Sequence, residues 1–272
     1  LGLLKISVKN ARYQQIEALL TNRNKRTRAG EFVVQGVRPI NMALEHGWDI
    51  TTLIYPSDRK LSEWAHDITQ IECDKIAMTS ELMNELSGKE DGSTEAIALV
   101  SLPADDLSRI PVPQDFLGVV FDRPTQPGNI GTIVRSADAL GANGLIVTGH
   151  AADPYDPKAV RATTGSLFSL PVVRENSQEV VSTWVEQQRA AGVPIVVAAT
   201  DEHGDTDVWD FDFTAPVLLL VGNETSGLSK AWREAADVTL SIPMTGSASS
   251  LNAGNAATLL MYEALRQRSA RA

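Results

Sequence analysis

Cysteine is nearly missing from this chain: Cys73 stands alone, so no internal disulfide can form, and a reducing, cytoplasmic setting is the expectation. Long apolar runs are missing too. The longest, such as Val217–Val221 and Ile195–Ala199, are strand-sized and far short of the roughly 20 residues that span a bilayer, so no membrane association is expected. Residues Leu1–Lys9 lack the charged, apolar and small-residue order of a secretory signal. Histidines are few and dispersed, at 46, 66, 150 and 203, which offers no metal-binding spacing, and no metal is expected. A G-x-G-x-x-G fingerprint after a first strand is also missing, GNIG having a different spacing, and this counts against a nucleotide-dependent oxidoreductase.

What is present fits an ordinary globular protein. The 272 residues, 43% hydrophobic and 21% charged, supply ample core, and the length makes two domains the natural expectation. A net charge of −10 at first speaks against a nucleic-acid partner, because phosphate binding is driven by Lys and Arg. The distribution of charge reverses that impression. Residues 1–40 carry Lys5, Lys9, Arg12, Arg23, Lys25, Arg26, Arg28 and Arg38 against only Glu17 and Glu31, a surplus of six that leaves the rest of the chain at −16. A basic arm on an acidic body suits a protein that docks phosphate through one region, with a solvated charged turn as the plainer alternative.

Hydrophobic periodicity divides the chain. In the first third, helical patterns at Lys9–Leu20, Val37–His46, Leu61–Ile71 and Ser80–Ser87 are interleaved with strands at Glu31–Gln35 and Thr51–Tyr55, a small α/β unit. The stretch LPADDLSRIPVPQ, with Pro103, Pro111 and Pro113, reads as extended chain. This gives an N-terminal domain over 1–105, a linker over 106–115 and a second domain over 116–272. In the latter, strands are expected at Phe116–Phe121, Gly144–Val147, Pro194–Ala199, Val217–Val221 and Val238–Ile242, with helices at Ile130–Leu140, Gln178–Ala191 and Leu251–Arg268. Such alternation implies a mainly parallel sheet covered on both faces, with ligands at the carboxyl ends of its strands.

Three loops after strands carry the residues of interest. In GNIGTIVRSADALGANGLIV, Asn129 is suited to cap the following helix, and Arg135 falls among Ile130, Ile133, Val134 and Ala137, where a guanidinium needs an anionic partner. In LLLVGNETSGLS, Gly222, Asn223, Glu224 and Gly227 fall within six residues; glycines there allow close approach of a ligand, or merely a turn. In IPMTGSASSLNAGNAATLLMYEALRQR, Ser249 or Ser250 is suited to cap a long helix whose first amides point a partial positive charge outward. Further along it, Leu259, Leu260, Tyr262 and Leu265 read as core.

The order and spacing NIGTIVR, VGNETSGLS, IPMTGSASSLN resembles the SpoU family of ribose methyltransferases, within the SPOUT group, over about Phe116–Arg268. GEFVVQGVRPINMALEHG resembles the start of that family's substrate-binding domain, which is similar to kink-turn-binding ribosomal proteins. The second Ser found after SLN in many members is replaced here by the run Ala253, Gly254, Asn255.

The resemblance implies a C-terminal SPOUT α/β domain with a deep trefoil knot behind a small N-terminal α/β RNA-binding domain. It implies S-adenosylmethionine as cofactor, held by Thr200, Gly222, Asn223, Glu224, Ile242, Met244, Ser250 and Leu251. It implies a homodimer whose active site takes groups from both chains. Arg135 would be essential, as base, phosphate clamp or stabiliser, with Asn129, Glu224, Ser250 and Asn252 orienting the reactants. Arg23, Lys25, Arg26 and Arg28 would clamp RNA, together with Arg161 of KAVRATTG. Stretches such as NRNKRTRAGEF and FDRPTQPGNIG are shared with a member that modifies a uridine ribose of large-subunit ribosomal RNA, which points to ribosomal RNA as the partner. Transfer RNA as substrate, or a non-catalytic RNA-binding protein, are the alternatives.

Overall fold

A computed structural model of the chain describes residues 2–88 and 94–270. It divides into two units, Leu1–Pro103 with Tyr155–Ser169, and Ala104–Pro154 with Leu170–Ala272.

The first unit runs β1 (Leu3–Ile6), α1 (Ala11–Thr21), α2 (Arg23–Ala29), β2 (Glu31–Gln35), α3 (Val37–Glu45), β3 (Ile50–Pro56), α4 (Glu63–Ile68), β4 (Asp74–Met78), α5 (Ser80–Ser87) and β5 (Ile97–Ser101). Asn10 and Asn22 begin α1 and α2 by accepting the amides of Tyr13 and Lys25, and Ser62 begins α4 by accepting that of Ala65. The sheet has the order β1-β4-β3-β5-β2, with β1, β4 and β3 parallel and β5 antiparallel to both its neighbours. Tyr13, Ile16 and Leu19 of α1 and Leu82, Met83 and Leu86 of α5 bury against Val33, Ile54, Ile76 and Leu99 of the sheet. The periodicity found α1 and α3–α5 but not β1, β4 or β5, nor the helical nature of Arg23–Ala29.

The second unit runs β6 (Leu117–Asp122), α6 (Pro127–Ala139), β7 (Gly144–Thr148), then, past an excursion holding α7 (Pro157–Thr163), β8 (Val172–Glu175), α8 (Gln178–Ala190), β9 (Val196–Thr200), β10 (Thr206–Asp207), β11 (Val217–Val221), α9 (Lys230–Ala235), β12 (Val238–Ser241) and α10 (Ala253–Ser269). All of its paired strands are parallel, in the order β10-β12-β9-β11-β6-β7-β8. β6, β7 and β11 are buried at every residue, as parallel strands covered on both faces must be. Val181, Trp184 and Val185 of α8 and Trp232 of α9 pack with Val120, Ile146, Val197 and Leu220 on one face. α6 packs along β7 and against α10, where Thr258 donates to Ser136 Oγ at 2.7 Å.

Two boundaries differ from a contiguous division of the chain. The stretch expected as a linker, 106–115, is built into the second unit: Leu107–Arg109 form a 3-10 turn, Ile110 is buried, and Leu107 and Val112 pack on the core. The excursion Tyr155–Ser169, between β7 and β8 in sequence, belongs to the first unit. There the Tyr155 and Phe168 rings lie 4.9 and 6.4 Å from that of Phe32, and Trp48 Nε1 donates to the Phe168 carbonyl. Prolines mark extended chain but not which core the chain touches, so neither feature was legible.

Arg26 is corrected here as well. It is 2% exposed, its Nη1 donates to the Leu19 carbonyl at 2.7 Å, and its Nη2 lies 3.8 Å from the Asp156 carboxylate. It ties α2 to α1 and to the start of α7, and so is not available to clamp RNA.

Candidate active site

The carboxyl ends of β9, β11 and β12 open into a cleft of about 450 Å³, within the usual size range of ligand pockets. Its lining includes Thr200, Gly222, Asn223, Glu224, Ile242, Met244, Ser250 and Leu251, all eight of the residues expected around a cofactor. Asp201, Glu202, Ala253 and Ala256 line it too and were not anticipated, since an acidic pair after a strand looks like solvated loop. The backbone of Met244–Leu251 makes no hydrogen bond among the described residues, so its amides and carbonyls remain for solvent or ligand.

S-adenosylmethionine fits this donor set. Val221, Leu240, Ile242 and Leu251 provide apolar surface for a flat base, and Asp201, Glu202 and Glu224 provide negative charge for a sulfonium and an ammonium. Gly222 has to be glycine, because a Cβ there would stand 2.5 Å from the carbonyl carbon of Gly227, where the loop folds back.

The three loops are linked through Glu224 and Asn129. One carboxylate oxygen accepts the Thr125 amide at 3.1 Å and its hydroxyl at 3.0 Å; the other accepts Asn129 Nδ2 at 2.9 Å and the Gln126 amide at 3.4 Å. Asn129 Oδ1 then accepts Asn252 Nδ2 at 3.1 Å, and Asn252 Oδ1 caps α10 by accepting the amides of Gly254 and Asn255. Residues 95 and 123 positions apart are thereby joined in one relay. Burial raises the Glu224 pKa, but the bonds from Asn129 and Thr125 outweigh it and hold the carboxyl below its ordinary range. An ionised group with both oxygens engaged organises its neighbours and has little capacity left to take a proton.

Several local expectations are corrected by this geometry. Asn129 does not cap α6: Gln126 occupies the cap position without a side-chain bond, and the Glu224 carboxylate meets the amides at this helix N-terminus instead. Asn252, not Ser249 or Ser250, caps α10. Arg135 is exposed, is not part of the cleft lining, and forms no hydrogen bond or ion pair among the described residues, so the apolar neighbours in its sequence are not its surroundings. The cause is helical spacing: six residues after Asn129, Arg135 is rotated by about 240° around α6. Leu259, Tyr262 and Leu265 are 45%, 56% and 38% exposed, and only Leu260 of that group is core. Lys25, Arg28 and Arg161 are exposed on the first unit, and Arg23 is half-buried.

Comparison with known proteins matches two family models to the chain. A model of the SpoU rRNA Methylase family matches residues 117–262, and one of the SpoU L30e-like domain matches residues 10–98. The chain is 64% identical over 265 residues, 97% of its length and 92% of the relative's, to the 23S rRNA (uridine(2479)-2'-O)-methyltransferase of Streptomyces viridochromogenes. Its structure matches that of the SpoU methyltransferase AviRb from the same organism, in complex with the cofactor AdoMet, with a TM-score of 0.93 at 64% identity over 96% of this chain and 99% of that one. An AdoMet-bound rRNA methyltransferase from Sinorhizobium meliloti matches with a TM-score of 0.84 at 30% identity, over 97% and 98% of the two chains.

Proposed function

The chain belongs to the SpoU rRNA methylase family, and from that premise we propose that it transfers the methyl group of S-adenosylmethionine to a ribose 2′-hydroxyl of 23S ribosomal RNA, the modified nucleoside being a uridine. The observation that carries the reading is the Glu224–Asn129–Asn252 relay, which ties the three loops together beside the cleft that Glu224 lines. Bound there, the cofactor supplies an electrophilic methyl on a sulfonium leaving group.

The chain's own residues have the task of aligning the hydroxyl with that methyl and handling its proton. Glu224 holds the start of α6 and Asn129, Asn129 orients Asn252, and Asn252 holds the start of α10 beside Ser250, whose hydroxyl is exposed. Arg135 completes the site from a second copy of the chain: it is exposed and has no hydrogen bond or ion pair among the described residues, and an arginine, which stays charged in proteins, serves as a clamp or stabiliser better than as a base. The second copy docks through the exposed apolar face of α10, Leu259, Tyr262 and Leu265. The threading of the segment before α10 into a knot, a cytoplasmic location beside ribosomes, and protection against a ribosome-targeting antibiotic belong to the same reading. No helix of the described residues is long and apolar enough to cross a membrane, and no cluster among them is suited to a metal.

Purified protein, labelled S-adenosylmethionine and 23S rRNA lacking the modification should yield label on one ribose. Arg135→Ala should keep cofactor binding by calorimetry within about threefold and lose at least about 100-fold in turnover. Label on a nucleobase, or on transfer RNA alone, rejects the assignment.

A further inference from the structure

We propose that Arg123 is a positioning residue for methyl transfer, clamping both ends of the loop that carries Glu224; the inference rests on the function read above. Arg123 follows β6 with φ of 51°, a left-handed conformation that a non-glycine residue adopts only where its surroundings impose it. Its amide donates to the Thr148 carbonyl at the end of β7, at 2.9 Å. Its carbonyl accepts Asn223 Nδ2 at 2.6 Å, where the loop begins. Its guanidinium reaches the other end, Nη2 donating to the Gly227 carbonyl at 2.9 Å and Nη1 to Ser226 Oγ at 3.5 Å. Asn223 and Gly227 bond to each other in both directions, at 3.1 and 3.0 Å, so residues 223–227 form a closed turn with Glu224 inside it.

The guanidinium is itself held in place. Asp122 is 2% exposed; its Oδ2 accepts Arg123 Nε at 3.0 Å and the Ser229 amide at 2.8 Å, and its Oδ1 accepts the Thr148 hydroxyl. The Thr148 oxygen in turn accepts the indole of Trp232. The stem of Arg123 lies over Gly149, where a Cβ would come within 2.5 Å of Arg123 Cγ. A buried carboxylate therefore fixes an arginine that spans from the end of β6 to the loop after β11. No bond of Arg123 goes to Glu224, so its action runs through the turn. A guanidinium is suited to this because its planar fork serves a carboxylate and a carbonyl together, which an ammonium cannot do in the same geometry.

Arg123→Asn is the primary test, since asparagine tolerates the left-handed backbone while removing the guanidinium; Arg123→Lys keeps the stem and the charge, and is assayed identically if the first variant does not fold. Both are compared with the parent for thermal midpoint, calorimetric affinity for S-adenosylmethionine, and steady-state KM and kcat, alone and combined with Glu224→Gln. A folded Arg123 variant should show KM for the cofactor raised about tenfold and kcat lowered about 10- to 100-fold, the scale of a misplaced reacting group. The loss should largely vanish when measured in the Glu224→Gln background. Turnover and KM within about twofold of the parent, or full additivity with Glu224→Gln, overturns the inference. A fully active parent beside such a variant removes this inference alone, whereas a parent that takes up no cofactor removes the function reading and the inference with it.

Discussion

Each oxygen of the Glu224 carboxylate accepts two hydrogen bonds, from donors on the segment that leads into α6 and on its first turn. Those bonds exist for the ionised form, which is why the carboxyl lies below the ordinary value of about 4.3 despite partial burial. A depressed folded pKa contributes stability that is complete above the unfolded value and is lost as pH falls through the folded one. Parent and Glu224→Gln should therefore differ in thermal midpoint at pH 6–7 and converge as pH falls below the unfolded value of about 4.3 and through the depressed folded one. A midpoint difference that is constant from pH 7 to pH 3 would show that the carboxylate charge is not what holds the loops. At this scale much was legible: Glu224 and Asn129 stood out as polar residues in glycine-bearing loops after strands, and Asn252 followed from the family resemblance. Thr125 and Gln126 did not, because they act chiefly through backbone amides, which have no residue signature, and Arg123 did not, because nothing in FDRPTQ announces a left-handed turn.

Helix α10 presents two faces. Ala253, Gly254, Ala257, Leu260, Met261 and Ala264 are buried, while Leu259, Tyr262 and Leu265 are exposed along the other side. Its end is anchored by Arg268, whose guanidinium donates to the carbonyls of Phe213, Asp115, Phe116 and Ala215, with burial pushing its pKa down. An apolar side chain at helical spacing reads the same whether its partner is the chain's own sheet or a second copy, so the exposed set reads as core from sequence. If that face is the dimer contact, Tyr262→Asp should halve the mass in sedimentation and abolish turnover, because Arg135 would no longer reach a partner's cleft. An active monomer would exclude the shared site.

Over the whole molecule, the basic residues proposed to hold RNA differ in burial. Lys25, Arg28 and Arg161 are exposed on the first unit, whereas Arg26 is buried between Leu19 and Asp156. Replacing the three exposed residues by Ala should leave the thermal midpoint nearly unchanged and lower the slope of log affinity for rRNA against log salt by up to about 2–3. Arg26→Ala should do the reverse, destabilising by about 2–4 kcal/mol with the salt slope retained. Equal slopes for parent and triple variant would place the RNA elsewhere.

Local sequence determined the parallel sheet of the second unit and the loops that matter, because apolar strand runs, helical spacing and glycine after a strand are written residue by residue. It also determined the family, through three motifs in fixed order. Only the tertiary structure decided which residues meet: that Glu224 reaches across to the start of α6, that Arg26 turns inward, that Arg135 turns outward, and that Tyr155–Ser169 belongs with the first unit. The reason is that side-chain direction and long-range pairing depend on how elements pack, and a guanidinium or an apolar stripe looks the same in sequence on either side of that packing.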